Sequence, residues 1–427
     1  MTFSSIKEKF IYFNLPVILF SLIPFFLITG PFLSDLSISL IGLIYLIYCF
    51  KKKDFSNFKN YYFYFFFIFW IYLIFNSLVN NINLDSLKIS FFYIRYAIFV
   101  ISITALLRIN INNIFYFYYI LCICFIVLIC DGFFQYFIGE NIFGFTSNSK
   151  FRITSFFGKE EILGSYLSRL WPIFFGLSLL LYNNKNKLFI FIIIIFILSE
   201  ALVFLSGDRT AFFYINLSAI FIIIFSKKIA KLRLVTLFFS FLLIFIISII
   251  NPTAKERVFD HTLKQMGLIK EENNKENKIY IFSKQHTSHY KTAYKIFLDN
   301  KALGVGVKNF RNFCSNVDYF IDKNSCATHP HNYYVQLLVE TGIIGLFFLV
   351  FLFFYFCKIL LKHFKYRLNG NFYFTDFEIT ILSGILIYLW PLVPTGSFFN
   401  NWLNIIMILN IPMLILSRKL INFKKQN

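Results

Sequence analysis

Long apolar segments constrain the fold of this chain more strongly than any other feature of its sequence. Twelve apolar runs, most of them near 20 residues, follow one another. About 20 residues of helix cross a hydrocarbon core about 30 Å thick. Only 15% of the residues are charged, whereas soluble proteins are nearer a quarter. The sequence therefore predicts an all-α, polytopic integral membrane helical bundle with about twelve transmembrane helices. The runs lie near 11–29, 34–50, 61–79, 90–107, 113–136, 161–182, 188–206, 210–226, 233–250, 333–357, 376–394 and 399–417.

The positions of the basic residues predict how the chain is oriented in the membrane. The net charge is +20, which alone would also fit a nucleic-acid-binding protein. With both termini placed in the cytoplasm, the cytoplasmic segments hold 21 Lys and Arg residues, Arg233 among them, and the opposite short loops hold five. Positive residues in short loops stay on the cytoplasmic side. We therefore expect cytoplasmic termini and no nucleic-acid partner. The five opposite residues are Lys88, Lys150, Arg152, Lys159 and Arg209.

The spans and loops divide the chain into three parts. Residues 1–250 hold nine predicted spans and a small outer loop near 137–161, and the first span lacks a small-residue cleavage site, so we expect it to stay uncleaved. Residues 251–332 form one large outer loop. Residues 333–427 hold the last three spans and a basic cytoplasmic tail.

The large outer loop has a polar part and a part that is expected to fold. The stretch 270–278 is strongly polar and is predicted to be mobile. Further on, apolar residues recur at helical spacing, which predicts an amphipathic helix lying against the membrane surface or the mouth of the bundle. These residues are Tyr290, Ala293, Tyr294 and Phe297.

Two of the seven cysteines lie in the large outer loop, and the other five lie in apolar runs where they are expected to pack as small hydrophobic residues. An extracytoplasmic compartment preserves disulfides, so we predict a bridge between Cys314 and Cys326. The proximity of Cys326, His329 and His331 leaves a metal site as an alternative, although no Cys/His group has zinc-finger spacing. We expect no metal.

Charged residues inside apolar runs need polar surroundings. Arg95 and Arg169 each cost about 2.5 to 3.5 kcal/mol near the middle of a bilayer, so we expect them to face a polar cavity or to snorkel. Asp131 and Glu200 lie nearer the span ends, where they serve either as counter-charges or as interfacial residues.

Three arginines predict an anion site at the outer side. Arg209, in SGDRT at 206–210, opens the eighth span, where a positive group opposes the helix dipole; the alternative is a plain interface anchor. Arg152 precedes the sixth span, and Arg169 lies within it. Guanidinium groups bind phosphate oxygens bidentately and stay charged when desolvated, so Arg152 and Arg209, with Arg169 below them, would suit a diphosphate.

The segment ATHPHNYYVQLLVETGIIGL at 327–346 is the most informative part of the sequence. His331 and Asn332 stand at the start of the tenth span, where His331 is either a general base or part of a helix cap. Gly342 and Gly345 are spaced by three, which predicts the close approach of another helix.

The pattern His-Asn, nine residues, Gly, two residues, Gly resembles the signature of the bacterial O-antigen ligase and O-antigen polymerase superfamily. The resemblance extends upstream through 295–310, 206–210 and 151–167, and therefore covers roughly 150–350. The chain departs from the family where an Arg is typical before the amphipathic stretch, since it has His286 and His289 there.

The resemblance implies a glycosyltransferase of the inner membrane with a periplasmic active site. The donor would be a glycan on undecaprenyl diphosphate, and the acceptor a sugar hydroxyl of a second glycan or of lipid A-core. His331 would deprotonate the acceptor, and Arg152 and Arg209 would hold the diphosphate, with Arg169 and His289 as further contacts. No cofactor and no metal would be needed. The sequence has no Asp-x-Asp pair and no phosphate-binding glycine loop, in agreement with a reaction that uses no metal and no nucleotide sugar.

Two other functions stay open at this stage. A transporter or flippase of lipid-linked oligosaccharides would be expected to show internal repeats and binding residues near the membrane midplane, and no repeat is evident. A non-catalytic assembly protein would tolerate the loss of His331. The sequence does not separate a ligase from a polymerase, because the two differ in the acceptor.

Overall fold

The computed structural model describes residues 8, 10–80, 84–147, 152–181, 187–250, 252–269 and 279–426. These residues form helices joined by turns, and they contain no β-strand. Lys150 and the polar stretch 270–278, predicted to be mobile, lie outside the described residues. The longer helices are Leu15–Thr29, Pro31–Lys52, Tyr61–Val79, Leu84–Phe92, Arg95–Ile109, Asn113–Ile138, Leu163–Leu181, Lys187–Leu205, Arg209–Phe225, Ala230–Ile250, Lys284–Asp299, Tyr333–Leu368, Asp376–Leu389, Asn401–Ile415 and Ser417–Gln426.

The fold is that of a polytopic helical membrane protein. Seven helical segments within the described residues are long and apolar enough to cross a membrane, and three further apolar helices are shorter. Large apolar side chains face outward, such as Phe238, Phe245 and Ile249, which are 63%, 63% and 67% exposed. An apolar outer surface of this kind is typical of a helical protein that lies in a membrane. Each of the twelve predicted runs overlaps a helix, but twelve membrane crossings stay a prediction.

The last two predicted spans differ from the observed helices. The eleventh run was placed at 376–394, but its helix ends at Leu389. Pro391 and Pro394 explain this end, since proline lacks the N–H that a helix needs and disfavours helical backbone in the residue before it. Residues 390–400 are therefore an irregular segment. The next helix begins at Asn401, where the side chain of Asn400 accepts a hydrogen bond from the Leu403 amide at 3.0 Å.

Several separate segments meet at one end of the bundle. The amide of Ile153 donates to the carbonyl of Leu205 at 3.2 Å, and the amide of Thr395 donates to the carbonyl of His331 at 2.8 Å. We call this the site end, and it is formed by 152–162, 206–210, 252–269, 279–332 and 390–400.

Two arginines inside the bundle form ion pairs with carboxylates of other helices. Arg233 was counted among the cytoplasmic loop residues, but it lies within the helix Ala230–Ile250 and is 0% exposed. The reason is its ion pair with Glu200, at 2.5 Å, together with the ring of Trp171 at 4.3 Å. Glu200 is thus a counter-charge. Arg95 forms an ion pair with Asp35 at 2.8 Å.

The predicted amphipathic helix exists as Lys284–Asp299, but its buried face is rotated. Tyr294 is 57% exposed, whereas Ala293 and Ile296 are buried. Of the two expected partners, the membrane surface and the mouth of the bundle, the structure shows contact with the bundle: the helix packs against the helix Tyr333–Leu368, where Val339 and the loop residues supply an apolar surface. The members of this small core are Ala293, Ile296, Val305, Phe310, Cys314 and Val339.

Gly342 interrupts the long helix Tyr333–Leu368 with a φ of 65° and a ψ of −170°. A Cβ there would lie 2.1 Å from the carbonyl oxygen of Ala302, so the close partner of this glycine is a loop turn and not the helix we predicted. The amide of Ile343 donates a hydrogen bond to the carbonyl of Lys301, in this turn, at 3.0 Å. Gly345 does face a helix, since its nearest contact outside its own helix is the side chain of Tyr72.

Glu340 fixes the loop to the helix just before this break. Its side chain is 0% exposed. It accepts hydrogen bonds from the amides of Lys308 at 3.0 Å and Phe310 at 3.4 Å, and from the side chain of Gln336 at 3.0 Å. Gln336 also accepts from the amide of Phe398 at 2.8 Å. A buried carboxylate thus ties the large loop, the long helix and the segment 390–400 together.

Candidate functional site

His331 stands in a strained backbone conformation at the site end. Its φ is 57°, which is uncommon for a residue with a side chain. Asn332 carries out the helix capping, since its Oδ1 accepts from the amides of Tyr334 at 3.0 Å and Val335 at 3.2 Å. Its Nδ2 donates to the carbonyl of Pro391 at 2.8 Å. The imidazole of His331 is therefore not used as a cap, and the segment 390–400 holds its backbone.

Three other imidazoles surround the ring of His331. The ring centroids of His329, His289 and His286 lie 4.1, 5.3 and 5.6 Å from that of His331. His289 stacks on His331 with an interplanar angle of 24°, and His286 meets it edge-on at 87°. We call these four residues the histidine cluster. His331 is its centre, because it is the ring that all three others approach.

Burial keeps the histidine cluster uncharged near neutral pH. Desolvation, followed by the charge that His331 would carry, lowers the pKa of His286 and of His289 to about 4 and that of His329 to about 3. Desolvation also lowers the pKa of His331, opposed by the backbone carbonyl of Thr395. A half-buried neutral imidazole can accept a proton.

His289 was predicted to contact a diphosphate, but its side chain is enclosed. It is 1% exposed, and neither ring nitrogen has a hydrogen-bond partner in the described part of the chain. His286, in contrast, has its Nδ1 2.8 Å from the hydroxyl of Ser283, the residue that caps the helix Lys284–Asp299. In this arrangement His289 packs beneath His331 and does not present a nitrogen to a ligand.

Arginines lie beside the histidine cluster. Arg209 donates to the side chains of Gln265 at 2.8 Å and Thr262 at 3.2 Å, and its charge contributes to the lowered pKa of His286. Arg257 lies on the same segment, two turns before Gln265. Burial and the charge of Arg152 lower the pKa of Arg257.

The arginines differ in how far their charges are neutralised. Arg152 forms an ion pair with Glu161 and donates to the carbonyl of Ser206 at 3.1 Å. Neither Arg209 nor Arg257 has a carboxylate ion pair within the described residues, and the Nε of Arg257 is buried without a partner. The two arginines that form no ion pair among the described residues are therefore the better candidates for an anion.

Arg169 does not join the other arginines at the surface. It is 2% exposed, and its guanidinium lies over the rings of Tyr214 at 4.7 Å and Tyr388 at 4.9 Å. It donates to the hydroxyl of Ser165 at 3.3 Å. Aromatic rings compensate this buried charge in place of a carboxylate.

The segment that carries Arg152 is held by two buried side chains of the helix Asn113–Ile138. Gln135 accepts from the amides of Thr154 at 2.9 Å and Ser155 at 2.7 Å, and Asp131 accepts from the hydroxyl of Ser155. Asp131 is therefore a structural acceptor beneath the site.

The loop cysteines are joined to each other. Cys314 and Cys326 form a disulfide, with their Cα atoms 5.1 Å apart. A bridged Cys326 cannot be a metal ligand, so the alternative of a site built from Cys326, His329 and His331 is removed. Within the described residues, no group of three or more His, Cys, Asp or Glu side chains is arranged to hold a metal ion.

Sequence reasoning missed Arg257, the clustering of His286 and His329 around His331, and the role of residues 390–400. Arg257 carried a usable signal, because it follows the ninth span within an outer loop that has few other arginines. The role of Thr395 had no signal in the sequence, since it acts through backbone atoms.

The fold and the site together define a multi-pass membrane protein with a histidine and arginine site where its helices end. Residues 191–350 match the family model described as O-antigen ligase. This match supports the similarity to the O-antigen ligase and polymerase superfamily that the motif at His331 predicted. The match includes Arg209 and Arg257, whereas Arg152 and Arg169 precede it. No curated protein matches the chain as a relative.

Proposed function

We propose that this protein is a membrane glycosyltransferase that transfers a glycan from undecaprenyl diphosphate to a sugar hydroxyl. One observation carries the proposal: the uncharged imidazole of His331 lies next to arginines that form no ion pair in the described part of the chain. His286 contacts His331, Arg209 acts on His286, and Arg257 acts on Arg209. The family supports a role in glycan ligation for cell-surface polysaccharide assembly. The acceptor is either a second lipid-linked glycan or the lipid A-core of lipopolysaccharide.

The reaction requires a base and a stabilised leaving group. His331 takes the proton from the acceptor hydroxyl while that oxygen attacks the anomeric carbon of the donor. The bond between this carbon and the diphosphate oxygen breaks, and undecaprenyl diphosphate leaves. Arg209 and Arg257, joined by Arg152, stabilise the negative charge that develops on the diphosphate. Attack opposite the leaving group inverts the anomeric centre.

The site end is proposed to face the periplasm of the bacterial inner membrane. The opposite end carries many of the basic residues, among them Lys51, Lys227, Lys228 and Lys419. Positive residues favour the cytoplasmic side, which supports cytoplasmic termini. The proposed topology has twelve spans and divides the chain into three parts, 1–250, 251–332 and 333–427.

Replacing His331 by Asn tests the base. Asn tolerates the left-handed backbone of this position better than most residues, so H331N should remove the base without straining the fold. We expect purified H331N in detergent to lose transfer from a lipid-diphosphate-linked oligosaccharide by at least about 100-fold, the usual contribution of a general base. Product that forms only with lipid A-core identifies a ligase, and chain growth from the donor alone identifies a polymerase. Transfer at the wild-type rate would overturn the assignment.

Replacing Arg209 by Lys tests the diphosphate contact. Lys keeps the charge but loses the planar fork, so we expect R209K to lower the rate severely. R418K is the matched control, because Arg418 is exposed in the helix Ser417–Gln426, away from the site end. Equal activity of R209K and R418K would show that Arg209 is an interface anchor. If the wild-type protein is inert with every donor and folds normally, a transporter becomes the better explanation.

A further inference from the structure

His331 is enclosed by groups from three parts of the chain. Its own loop contributes His329, the helix Lys284–Asp299 contributes His286 and His289, and the segment 390–400 contributes the carbonyl of Thr395. The hydroxyl of Tyr290, from the same helix, donates to the backbone carbonyl of His331 at 3.4 Å.

More distant charges act on the outer imidazoles. Arg209 disfavours a charge on His286, and Arg311 disfavours one on His329. Asp322 favours a charge on His289, but less than desolvation and His331 oppose it. The net effect of all neighbours is to disfavour a charge on each outer ring.

The central ring differs from the outer three. The carbonyl of Thr395 favours the charged form of His331, and it favours that of His329 less strongly than desolvation and His331 oppose it. A charge on His331 disfavours a charge on each of the three outer rings. A first proton on His331 therefore places a positive charge within 4.1 to 5.6 Å of every other ring centroid. Like charges at such distances cannot all form in a partly dehydrated site.

We propose that the histidine cluster is one proton-accepting unit in which His331 is the single acceptor, and His286, His289 and His329 are positioning residues that stay neutral around it. The proposal deepens the proposed function and rests on it for the role of His331 in transfer. His289 stacks on His331 as a neutral ring. A neutral aromatic face beneath His331 also favours the imidazolium that forms when His331 takes the proton.

The test is a direct titration of the imidazoles in the full chain. The protein is labelled with ¹⁵N-histidine, purified in detergent with a chelator present, and followed by NMR from pH 8 to pH 4.5. His261 and His363, outside the cluster, serve as internal references. In the wild type we expect one cluster imidazole to charge first, identified as His331 by its absence in H331N.

The H331N variant decides whether the four rings are coupled. Removal of the central charge should raise the titration midpoints of His286, His289 and His329, by on the order of one pH unit at these separations. Unchanged midpoints in H331N, or an outer ring that charges before His331 in the wild type, would overturn the proposal. The readout does not use glycan transfer, so coupling can hold even if H331N retains activity, which would refute only the proposed function.

Two replacements of His289 test whether the neutrality of its ring matters for the titration of His331. H289F keeps a neutral stacked ring, and H289K places a permanent charge beneath His331. We expect H289K to lower the His331 midpoint by on the order of one pH unit and H289F to leave it close to that of the wild type. Equal midpoints in the two variants would refute the role of His289. If H289K fails to fold, the H331N titration still decides the coupling.

Discussion

Replacing Gly342 by Ala should destabilise the protein strongly, because two effects coincide there. Its φ of 65° with ψ of −170° is a combination that essentially only glycine adopts, which costs about 1 to 3 kcal/mol for another residue. The added Cβ would also lie 2.1 Å from the Ala302 oxygen and 2.4 Å from its carbonyl carbon. These are backbone atoms, so no side-chain rotation relieves the overlap, and overpacking adds about 1 to 3 kcal/mol.

The expected total for G342A is about 4 kcal/mol. For a chain of 427 residues, an unfolding entropy of about 2.1 cal/mol/K per residue converts this to a fall of about 4 °C in melting temperature. The assay is thermal unfolding in detergent. We also expect lower glycan transfer, because the turn at Ala302 leads through Lys308 into the loop that carries the histidine cluster.

G370A is the matched control for the strain alone. Gly370 has a φ of 73°, and an added Cβ would meet nothing within 4 Å. This variant should lose only about 1 kcal/mol. If G342A and G370A lower the melting temperature equally, or if G342A melts like the wild type, the close approach of the turn at Ala302 is not a determinant of stability.

Three further predictions follow from other parts of the molecule. E200Q and R233M should each lower the free energy of unfolding by about 3 to 5 kcal/mol, because each leaves a buried charge without its partner. The double variant E200Q/R233M should lose less than the sum of the two; additive losses in melting temperature would contradict this. Cys314 and Cys326 should accept a thiol label in the unfolded chain only after reduction, and labelling without reductant would disprove the bridge. Burial lowers the pKa of His289 to about 4 from about 6.5, so its contribution to stability is complete above about pH 6.5 and declines as the pH falls towards 4. H289F should reduce this decline in melting temperature, and identical pH profiles would refute the cause.

Much of the fold followed from the sequence because hydropathy is a local property. Apolar runs predict helices wherever they are long, and each predicted run overlaps one. The errors arose where a distant partner decides the outcome. Arg233 was assigned to a loop because its partner Glu200 lies in another helix. The face of the helix Lys284–Asp299 was misassigned because Val339, from the long helix, defines the apolar side.

The sequence supplied candidate site residues one by one but not their arrangement. The motif pointed to His331, and phosphate chemistry pointed to Arg152 and Arg209; their roles remain predictions. Their neutralisation could not be read in the sequence, since Glu161 pairs with Arg152 and no carboxylate in the described ion pairs joins Arg209. Two prolines in the eleventh run, Pro391 and Pro394, did indicate that the helix ends early. The high hydropathy of the run nevertheless led to a predicted span that continues to residue 394.

The same electrostatic arrangement serves both halves of the proposed reaction. A general base must be uncharged before it acts, and dehydration of the cluster keeps the imidazoles beside His331 neutral, with the charge of Arg209 adding to this effect at His286. The leaving diphosphate needs positive charge that is not already paired, and Arg209 and Arg257 provide it. A dianionic diphosphate bound at these arginines would screen the charge of Arg209 from His286, the ring on which that charge acts. We therefore expect the titration midpoint of His286 to rise when undecaprenyl diphosphate is added to the labelled protein. An unchanged midpoint at saturating lipid would show that the arginines and the histidine cluster act independently.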